Sequence, residues 1–448
     1  MNLKTIHNVY LIGIGGIGMS ALARYFKFIG KQVAGYDKNT TKLTAELQHE
    51  GIGVHDEDSL LNIPPAFKTK NTTLIIYTPA IPKQHNQLNY FKNKGFRVHK
   101  RAEVLGWITK ETYCFAVAGT HGKTTISSIL AHILKETNTP VTAFLGGISE
   151  NFNSNMLIAG NDYTVVEADE FDRSFLHLSP DVACVTSMDA DHLDIYGEKS
   201  ELEQSFSTFA ANLKPNGKLL IRNGLPLQGM TYGIDDASDY SVKNIKIKHT
   251  TYTFDIVTPG ETIKDVTFNI PGKHNVLNAL AAFAMATQIG ISKRNLARAL
   301  TTFKGIKRRF SYQINTEELI YIDDYAHHPT EIKAVYHTLR EVHPGKTILA
   351  IFQPHLFSRT RDFADEFAES LSPFDAILLL DIYPAREQPI EGVTSTWLLS
   401  KINNPNKKMT SKGKLIAELK ASKAQVVLTI GAGDIGEEVK HIKKALLS

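Results

Sequence analysis

Cysteine is almost absent, with two in 448 residues, Cys114 and Cys184. Each sits in an apolar run, "YCFAVAG" and "DVACVTS". That excludes a disulfide scaffold and predicts two core thiols of a cytoplasmic protein. Long apolar runs are missing too: no stretch approaches the roughly 20 residues of a membrane span, so no membrane partner is expected. The opening "MNLKTIHNVYLIGIGG" reaches glycine too soon for a signal peptide and has no cleavage site. Charge of one sign is also lacking. Fifty Lys and Arg against 46 Asp and Glu leave a formal +4. No basic run is dense enough for nucleic acid, and none is expected as a partner. There is no low-complexity segment. The 42% apolar content is ordinary for a globular chain, and the length implies about two to four domains.

What is present begins with "VAGTHGKTT" at 117–125. A P-loop usually reads GxxxxGK[ST]. Here Val117 stands where the first glycine belongs, and the first glycine is Gly119. The flanks still favour a phosphate loop. "YCFAVAG" reads as a buried strand. Beyond Lys123, residues Ile126, Ile129, Leu130, Ile133 and Leu134 mark one face of an amphipathic helix. Strand, glycine turn and helix place backbone N–H groups and the helix dipole at an anion. Lys123 is then expected at the β- and γ-phosphates and the Thr124 hydroxyl at Mg²⁺.

Strand and helix patterns alternate along the whole chain. The fold expected is α/β in three domains: an N-terminal Rossmann-like domain (1–110), a central P-loop ATPase α/β domain (111–308) and a C-terminal Rossmann-like α/β domain (309–448). The basic stretch "GIKRRF" (305–310) is the boundary cue before the third. Strand ends deliver the polar residues, where open α/β sheets place ligands.

The candidate sites follow from those ends. "GIGGIGMS" holds Gly13, Gly15 and Gly18 in GxGxxG spacing with Gly16 between them, and Asp37 follows about twenty residues on. NAD or UDP would satisfy this pattern equally, because the glycines and the helix N-terminus read only a diphosphate. "EADEFD" and "DADHLD" supply Glu167, Asp169, Glu170, Asp172, Asp189, Asp191, His192 and Asp194. Hard oxygens and an imidazole near a P-loop suit a divalent metal, although most of these acids are expected to be caps and solvated loop charges. "DDYAHHPTEI" carries Asp323, Asp324, His327 and His328, and "FQPHLFSRTRD" carries His355, Arg359 and Arg361. Arginine pairs phosphate and carboxylate bidentately. His328 precedes Pro329 at a helix start, which suits a cap. A second GxGxxG, "GAGDIG", is expected to be a strand-end turn.

Taken in order, "GTHGKTT", "EADEFD", "DHLDIYG", "PGKHNVLNALAA", "KRRF", "DDYAHHPTEI" and "FQPHLFSRT" resemble the Mur ligases of peptidoglycan synthesis over essentially the whole chain. In that family the loop is Gly-Thr-x-Gly-Lys-Thr-Thr, so Val117 is no defect. The resemblance implies an ATP-dependent ligase that uses Mg²⁺ and joins L-alanine to UDP-N-acetylmuramate, as a monomer or weak homodimer. It also moves "GIGGIGMS" from NAD to UDP, with Gly13, Gly15, Gly16, Gly18 and Asp37 on the sugar nucleotide. Gly119, Thr120, Gly122, Lys123, Thr124 and Thr125 match the ATP loop, with Lys123 also catalytic. Thr124, Glu167 and His192 match the metal positions, His192 serving catalysis too. His274, Asn275 and Asn278 match the adenine side, and Arg309 and Asp324 also face the nucleotide. His327 and Arg359 match catalytic positions, and His355 and Arg359 the amino-acid side. One departure stands out: the family often has "FQPHR", and here Leu356 replaces the arginine. A recycling ligase that adds a tripeptide to the same sugar nucleotide is the alternative within the family. An NAD-dependent oxidoreductase and a non-catalytic ATPase switch are the alternatives outside it.

Overall fold

The structure, a computed structural model, describes residues 3–190, 193–385 and 387–447. The chain forms two compact units. One comprises Met1–Asp189, Glu198–Ser241 and Ala279–Leu300, the other Ala190–Gly197, Val242–Asn278 and Thr301–Ser448.

The first unit opens with a wholly parallel sheet of β1 (Asn8–Ile12), β2 (Gln32–Tyr36), β3 (Gly53–His55), β4 (Thr73–Tyr77) and β5 (Arg97–Lys100), in the order β3-β2-β1-β4-β5. The run "NVYLI" is buried on both faces as the central strand β1, as a parallel sheet covered by helices requires. Four helices accompany the sheet: α1 (Ile17–Phe28), α2 (Lys42–His49), α3 (Asn86–Asn93) and α4 (Arg101–Lys110). Tyr10, Tyr36, Phe67 and Phe91 pack its core. Strand β5 ends at Lys100 and α4 begins at the next residue, so two adjacent cations stand at the C-terminal edge of the sheet.

The same unit holds a second sheet built around β6 (Tyr113–Ala118), which leads through the glycine loop into α5 (Lys123–Glu136). Its other strands are β7 (Val141–Ser149), β8 (Ser154–Ile158), β9 (Tyr163–Glu167), β10 (Val182–Val185), β11 (Lys218–Arg222) and β12 (Met230–Ile234). The order is β12-β11-β10-β6-β9-β7-β8, with β6 paired in parallel to β9 and β10. Cys114 and Cys184 are free thiols in this core, as their apolar surroundings predict, and burial pushes the Cys184 thiol up to about 12. The strand β13 (Tyr240–Lys248) leaves this unit for the second, where β14 (Thr251–Thr258) and β15 (Glu261–Phe268) form an antiparallel hairpin.

The third sheet lies wholly in the second unit. It contains β16 (Ser311–Asn315), β17 (Ile320–Asp324), β18 (Ile348–Phe352), β19 (Ala376–Leu379), β20 (Lys407–Met409) and β21 (Val426–Ile430), in the order β16-β17-β21-β18-β19-β20. Only β16 is antiparallel. The architecture is therefore α/β throughout, with three parallel-rich sheets. Among the described residues no helix is long and apolar enough to cross a membrane.

Helix α1 is anchored to the second sheet by one buried side chain. Asn155 on β8 has no exposed surface. Its Nδ2 donates to the Ile17 carbonyl at 2.5 Å and to Ser20 Oγ at 2.9 Å, while its Oδ1 accepts from Arg24. Arg24 in turn clamps Glu50, with Nη2 to Oε1 at 2.7 Å. The first turn of α1 is thus tied to the β7–β8 hairpin by hydrogen bonds that solvent does not replace. Asn155→Ala should strip this anchor and lower stability by about 3 kcal/mol, because buried donors and acceptors lose their partners. Urea unfolding followed by intrinsic fluorescence checks this. Asn155→Asp keeps only the Arg24 acceptor and should recover only part of the loss.

Candidate active site

The glycine loop takes its shape from close packing against the end of β10. Gly119 has φ +126°, and a Cβ there would lie 2.0 Å from Thr186 Oγ1. Gly122, at φ +83°, caps α5 in a left-handed conformation. These two positions are where the loop cannot tolerate a side chain, and Val117 is simply a buried residue of β6. Ser187 stitches the loop to β10: its Oγ pairs with Thr120 Oγ1 at 2.8 Å and accepts the His121 amide at 2.9 Å. Thr120 Oγ1 in turn accepts the Asp189 amide at 3.1 Å. Neither Ser187 nor Thr186 belonged to a recognisable motif.

Lys123 points back over this loop. Its ammonium donates to the Gly119 carbonyl at 2.7 Å and meets Glu170 Oε2 at 2.8 Å, and that carboxylate is only 1% exposed. Burial alone would push the lysine pKa down. The surrounding Glu170, Asp169 and Glu167 carboxylates outweigh it and hold the pKa above the usual lysine value, so Lys123 stays charged. One residue on, the Thr124 hydroxyl reaches Glu167 Oε1 at 3.0 Å and Oε2 at 2.9 Å. A hydroxyl and a carboxylate together at a phosphate loop are the hard-oxygen donors Mg²⁺ prefers. No group of three or more metal-ligating His, Cys, Asp or Glu exists among the described residues. His192 and Asp191, the other expected contributors from "DHLD", lie outside the described residues.

The acidic run after β9 faces several cations. Asp169 pairs with Arg101 Nη2 at 3.8 Å, and Asp172 with Lys100 Nζ at 2.8 Å. Asp172 and its neighbour Arg173 both have φ +54°, a left-handed backbone that costs L-residues roughly 1–3 kcal/mol each. Beside them, a cleft of about 290 Å³ is lined by Gly16, Gly18, Arg101, Phe144, Glu167 and Asp169, among others. The turn from β1 into α1 therefore opens into the same cleft as Glu167. Asp37 serves this turn from within, its Oδ2 accepting the Gly15 amide at 2.7 Å.

In the second unit, Asp323 and Asp324 end β17. Both Asp324 oxygens are engaged, with the Phe310 and Ala326 amides each at 2.7 Å. Burial pushes its carboxyl up to about 6, against the pull of Arg309 and those amides. Asp323 takes Arg308 Nε at 3.2 Å and Thr429 Oγ1 at 2.9 Å. Arg308 and Arg309 lie 5.0 and 5.2 Å from the centre of the Tyr325 ring, and Arg309 pairs with Glu331 at 3.7 Å. Burial, with Arg309 adding to it, pushes the His274 imidazole down to about 4. Asn275 binds the Pro271 carbonyl at 2.6 Å and receives Asn278 Nδ2 at 3.3 Å. His327 Nδ1 lies 3.0 Å from the Tyr325 carbonyl and its ring 6.1 Å from that of His355. His355 Nδ1 is 3.4 Å from Arg359 Nη1. His328 caps the helix Pro329–Val342 by accepting the Thr330 amide, as its place before Pro329 implies. "GAGDIG" is the turn from β21 into the helix Ile435–Leu446, and Arg308 Nη2 donates to its Gly431 carbonyl at 2.6 Å.

Three family models match in sequence order: "Mur ligase family, catalytic domain" over residues 8–113, "Mur ligase middle domain" over 117–286 and "Mur ligase, glutamate ligase domain" over 308–433. The chain is 61% identical to a UDP-N-acetylmuramate–L-alanine ligase of Flavobacterium psychrophilum, across 100% of this chain and 99% of that one. This chain belongs to the Mur ligase family. It is also 59% identical to the same-named protein of Christiangramia forsetii, over 100% and 99% of the two chains. The solved UDP-N-acetylmuramate–alanine ligase of Thermotoga maritima superposes with a TM-score of 0.84 at 27% identity, covering 98% of this chain and 99% of that one. A murein peptide ligase of Psychrobacter arcticus shares the fold at 23% identity, with a TM-score of 0.73 over 98% of each chain.

Within this Mur ligase, sequence reasoning missed Lys100, Arg101, Glu170 as the partner of Lys123, and the Thr186–Ser187 pair. Only the "KR" doublet at the end of a predicted strand could have pointed to the first two. Leu356, at the position of the family's arginine, is buried with φ +70° and caps the helix Phe357–Asp362.

The two shifted groups of the second unit titrate in opposite senses. His274 is harder to protonate when folded, so its contribution to stability is complete above pH 6.5 and is lost as the pH falls toward 4. Asp324 is easier to protonate when folded, so its contribution is complete below 3.8 and is lost as the pH rises through about 6. Each amounts to about 3 kcal/mol at most, and between pH 4 and 6 they largely offset. His274→Gln should gain stability relative to wild type as the pH falls from 6.5 to 4. Asp324→Asn should lose stability more steeply than wild type from pH 6 to 4. Urea unfolding across that range reads both slopes.

Proposed function

We propose that this chain joins L-alanine to the lactyl carboxylate of UDP-N-acetylmuramate at the expense of ATP, through an acyl phosphate. The observation that carries the reading is the full-length match, at 61% identity, to a ligase named for that reaction. The charged P-loop lysine beside Thr124 and Glu167 supports the ATP half. We assign residues 1–110 to the sugar nucleotide, 111–308 to ATP and 309–448 to the amino acid, and the reaction to the cytoplasm.

Lys123 holds a fixed positive charge at the transferring phosphoryl group, where charge develops in the transition state. Gly119, Thr120, Gly122 and Thr125 shape the loop that cradles the phosphates. Thr124, Glu167 and His192 would hold Mg²⁺, which supplies charge neutralisation at the phosphates. Gly13, Gly15, Gly16 and Gly18 let the backbone approach the diphosphate of UDP-N-acetylmuramate, with Asp37 bracing the Gly15 amide. On the nucleotide side, His274 stays neutral near pH 7 and can offer a single hydrogen bond, beside Asn275, Asn278, Arg309 and Asp324. His327, His355 and Arg359 face the incoming L-alanine. With Leu356 buried, the alanine carboxylate falls to Arg359. The acyl phosphate accepts the amine, and the tetrahedral adduct collapses to amide and phosphate. Excluding water at that stage protects the acyl phosphate from hydrolysis.

ADP release in the presence of UDP-N-acetylmuramate should require L-alanine and should not be supported by the murein tripeptide. The opposite preference would establish the recycling activity instead. Lys123→Ala should slow ADP release by about a hundredfold or more, corresponding to roughly 3 kcal/mol of lost charge stabilisation. Near-normal turnover of a folded variant would remove the loop from the ATP site. His192→Ala should shift the Mg²⁺ dependence of the rate to higher concentration while UDP-N-acetylmuramate binding is retained, and an unchanged Mg²⁺ curve would refute its metal role.

A further inference from the structure

Three cations face the acidic run Asp169–Asp172 in the first unit, and they are held unequally. Lys123 meets Glu170 at 2.8 Å and Lys100 meets Asp172 at 2.8 Å, both in close contact. Arg101 meets Asp169 only at 3.8 Å, through one Nη2–Oδ2 approach, with the carboxylate side chain 39% exposed. A long, half-solvated pair of this kind is worth little and exchanges readily. The guanidinium lines the cleft of about 290 Å³ with Gly16 and Gly18. It also lies against the glycine turn: a Cβ on Gly18 would come within 2.8 Å of Arg101 Nη1. Gly18 thus gives the arginine room to sit flat beside the first turn of α1.

We propose that Arg101 binds the diphosphate of the sugar nucleotide and exchanges Asp169 for it. The proposal rests on the reading of the first sheet as the UDP-N-acetylmuramate site and names the side chain that supplies its charge. A guanidinium presents two parallel N–H donors to two phosphate oxygens, a bidentate match that the single long contact to Asp169 does not provide. The fixed doublet at the end of β5 explains the placement. Lys100, clamped by Asp172, pins the strand end, and Arg101, opening α4, is left to reach the ligand. Asp169 is suited to release it. Its Oδ1 accepts the Phe171 amide at 3.1 Å, so the loop keeps its shape when Oδ2 gives up the arginine.

Isothermal titration of the full-length protein tests the exchange, with UDP-N-acetylmuramate, UDP and ADP as separate titrants. Arg101→Ala should weaken UDP-N-acetylmuramate and UDP by the same factor, about 30-fold, the loss of one strong charge-assisted contact. ADP affinity should stay within about twofold. Arg101→Lys keeps the charge without the fork and should restore part of the loss. Asp169→Asn preserves the Oδ1 acceptor, removes the competing charge and should tighten both uridine ligands. It carries the test if Arg101→Ala fails to fold. Unchanged UDP affinity in a folded Arg101→Ala variant overturns the proposal while leaving the sugar-nucleotide site standing. So does a loss confined to UDP-N-acetylmuramate, which would put the guanidinium on the sugar or its lactyl carboxylate. Unchanged or weaker uridine binding in Asp169→Asn also counts against it. A wild-type protein that binds neither uridine ligand defeats the site and the proposal together.

Discussion

A buried ammonium must be kept charged, and the first unit is organised around that requirement at Lys123. Removing a lysine from water favours its neutral form, and a neutral amine cannot stabilise a phosphoryl group in transfer. Three carboxylates at and just beyond the end of β9, Glu167, Asp169 and Glu170, reverse the effect of burial. Glu170 makes the direct contact from a nearly inaccessible position. A buried pair of this kind contributes little net stability, but leaving either partner alone would be costly. Its value is to hold a cation in a fixed place against the Gly119 carbonyl.

Fixing that segment has consequences on its other side. The chain must turn sharply after Glu170, and two successive residues, Asp172 and Arg173, adopt left-handed backbone conformations. The ion pair of Asp172 with Lys100 helps hold the turn against that strain. The segment that keeps Lys123 charged therefore also meets the cations at the end of β5, through Asp169 to Arg101 and Asp172 to Lys100, and Asn155 fixes α1 to the neighbouring hairpin. One loop and one carboxamide bring the glycine turn, Arg101 and Glu167 around a common cleft.

The second unit solves a related problem with arginines. Arg308 and Arg309 lie against the Tyr325 ring, and the Asp323–Asp324 pair at the end of β17 draws the preceding chain onto the sheet. Asp324 is held by backbone amides as well as by charge, so its carboxylate organises the "KRRF" turn whatever else it does. Gln353, in the middle of "FQPH", caps the helix Ile435–Leu446 through the Ile435 amide and thereby joins two strand ends. Motif residues here act as joints of the loop edge.

Most of the fold was legible in the sequence, because short apolar runs rich in β-branched and aromatic residues, such as "NVYLI", "YCFAVA" and "LIYIDD", read as buried strands, and glycines, helical periodicity and prolines mark where each ends. The strand–glycine loop–helix at 113–136, the glycine turn at α1, the two core cysteines and the His328 cap followed from local chemistry, and the order of motifs identified the family. Other features depend on residues far apart in the chain. Nothing local says that Gly119 is required because Thr186 lies against it, that Glu170 rather than Asp169 meets Lys123, or that Asn155 anchors α1. A hydrogen bond or ion pair between distant segments leaves no periodicity in either one. The charge state of Lys123, His274 and Asp324 likewise depends on how deeply the fold encloses each group and on which charges it brings alongside. The sequence by itself determined the elements and their chemistry. Tertiary structure decided which charges meet, since burial and distance exist only once the chain has closed on itself.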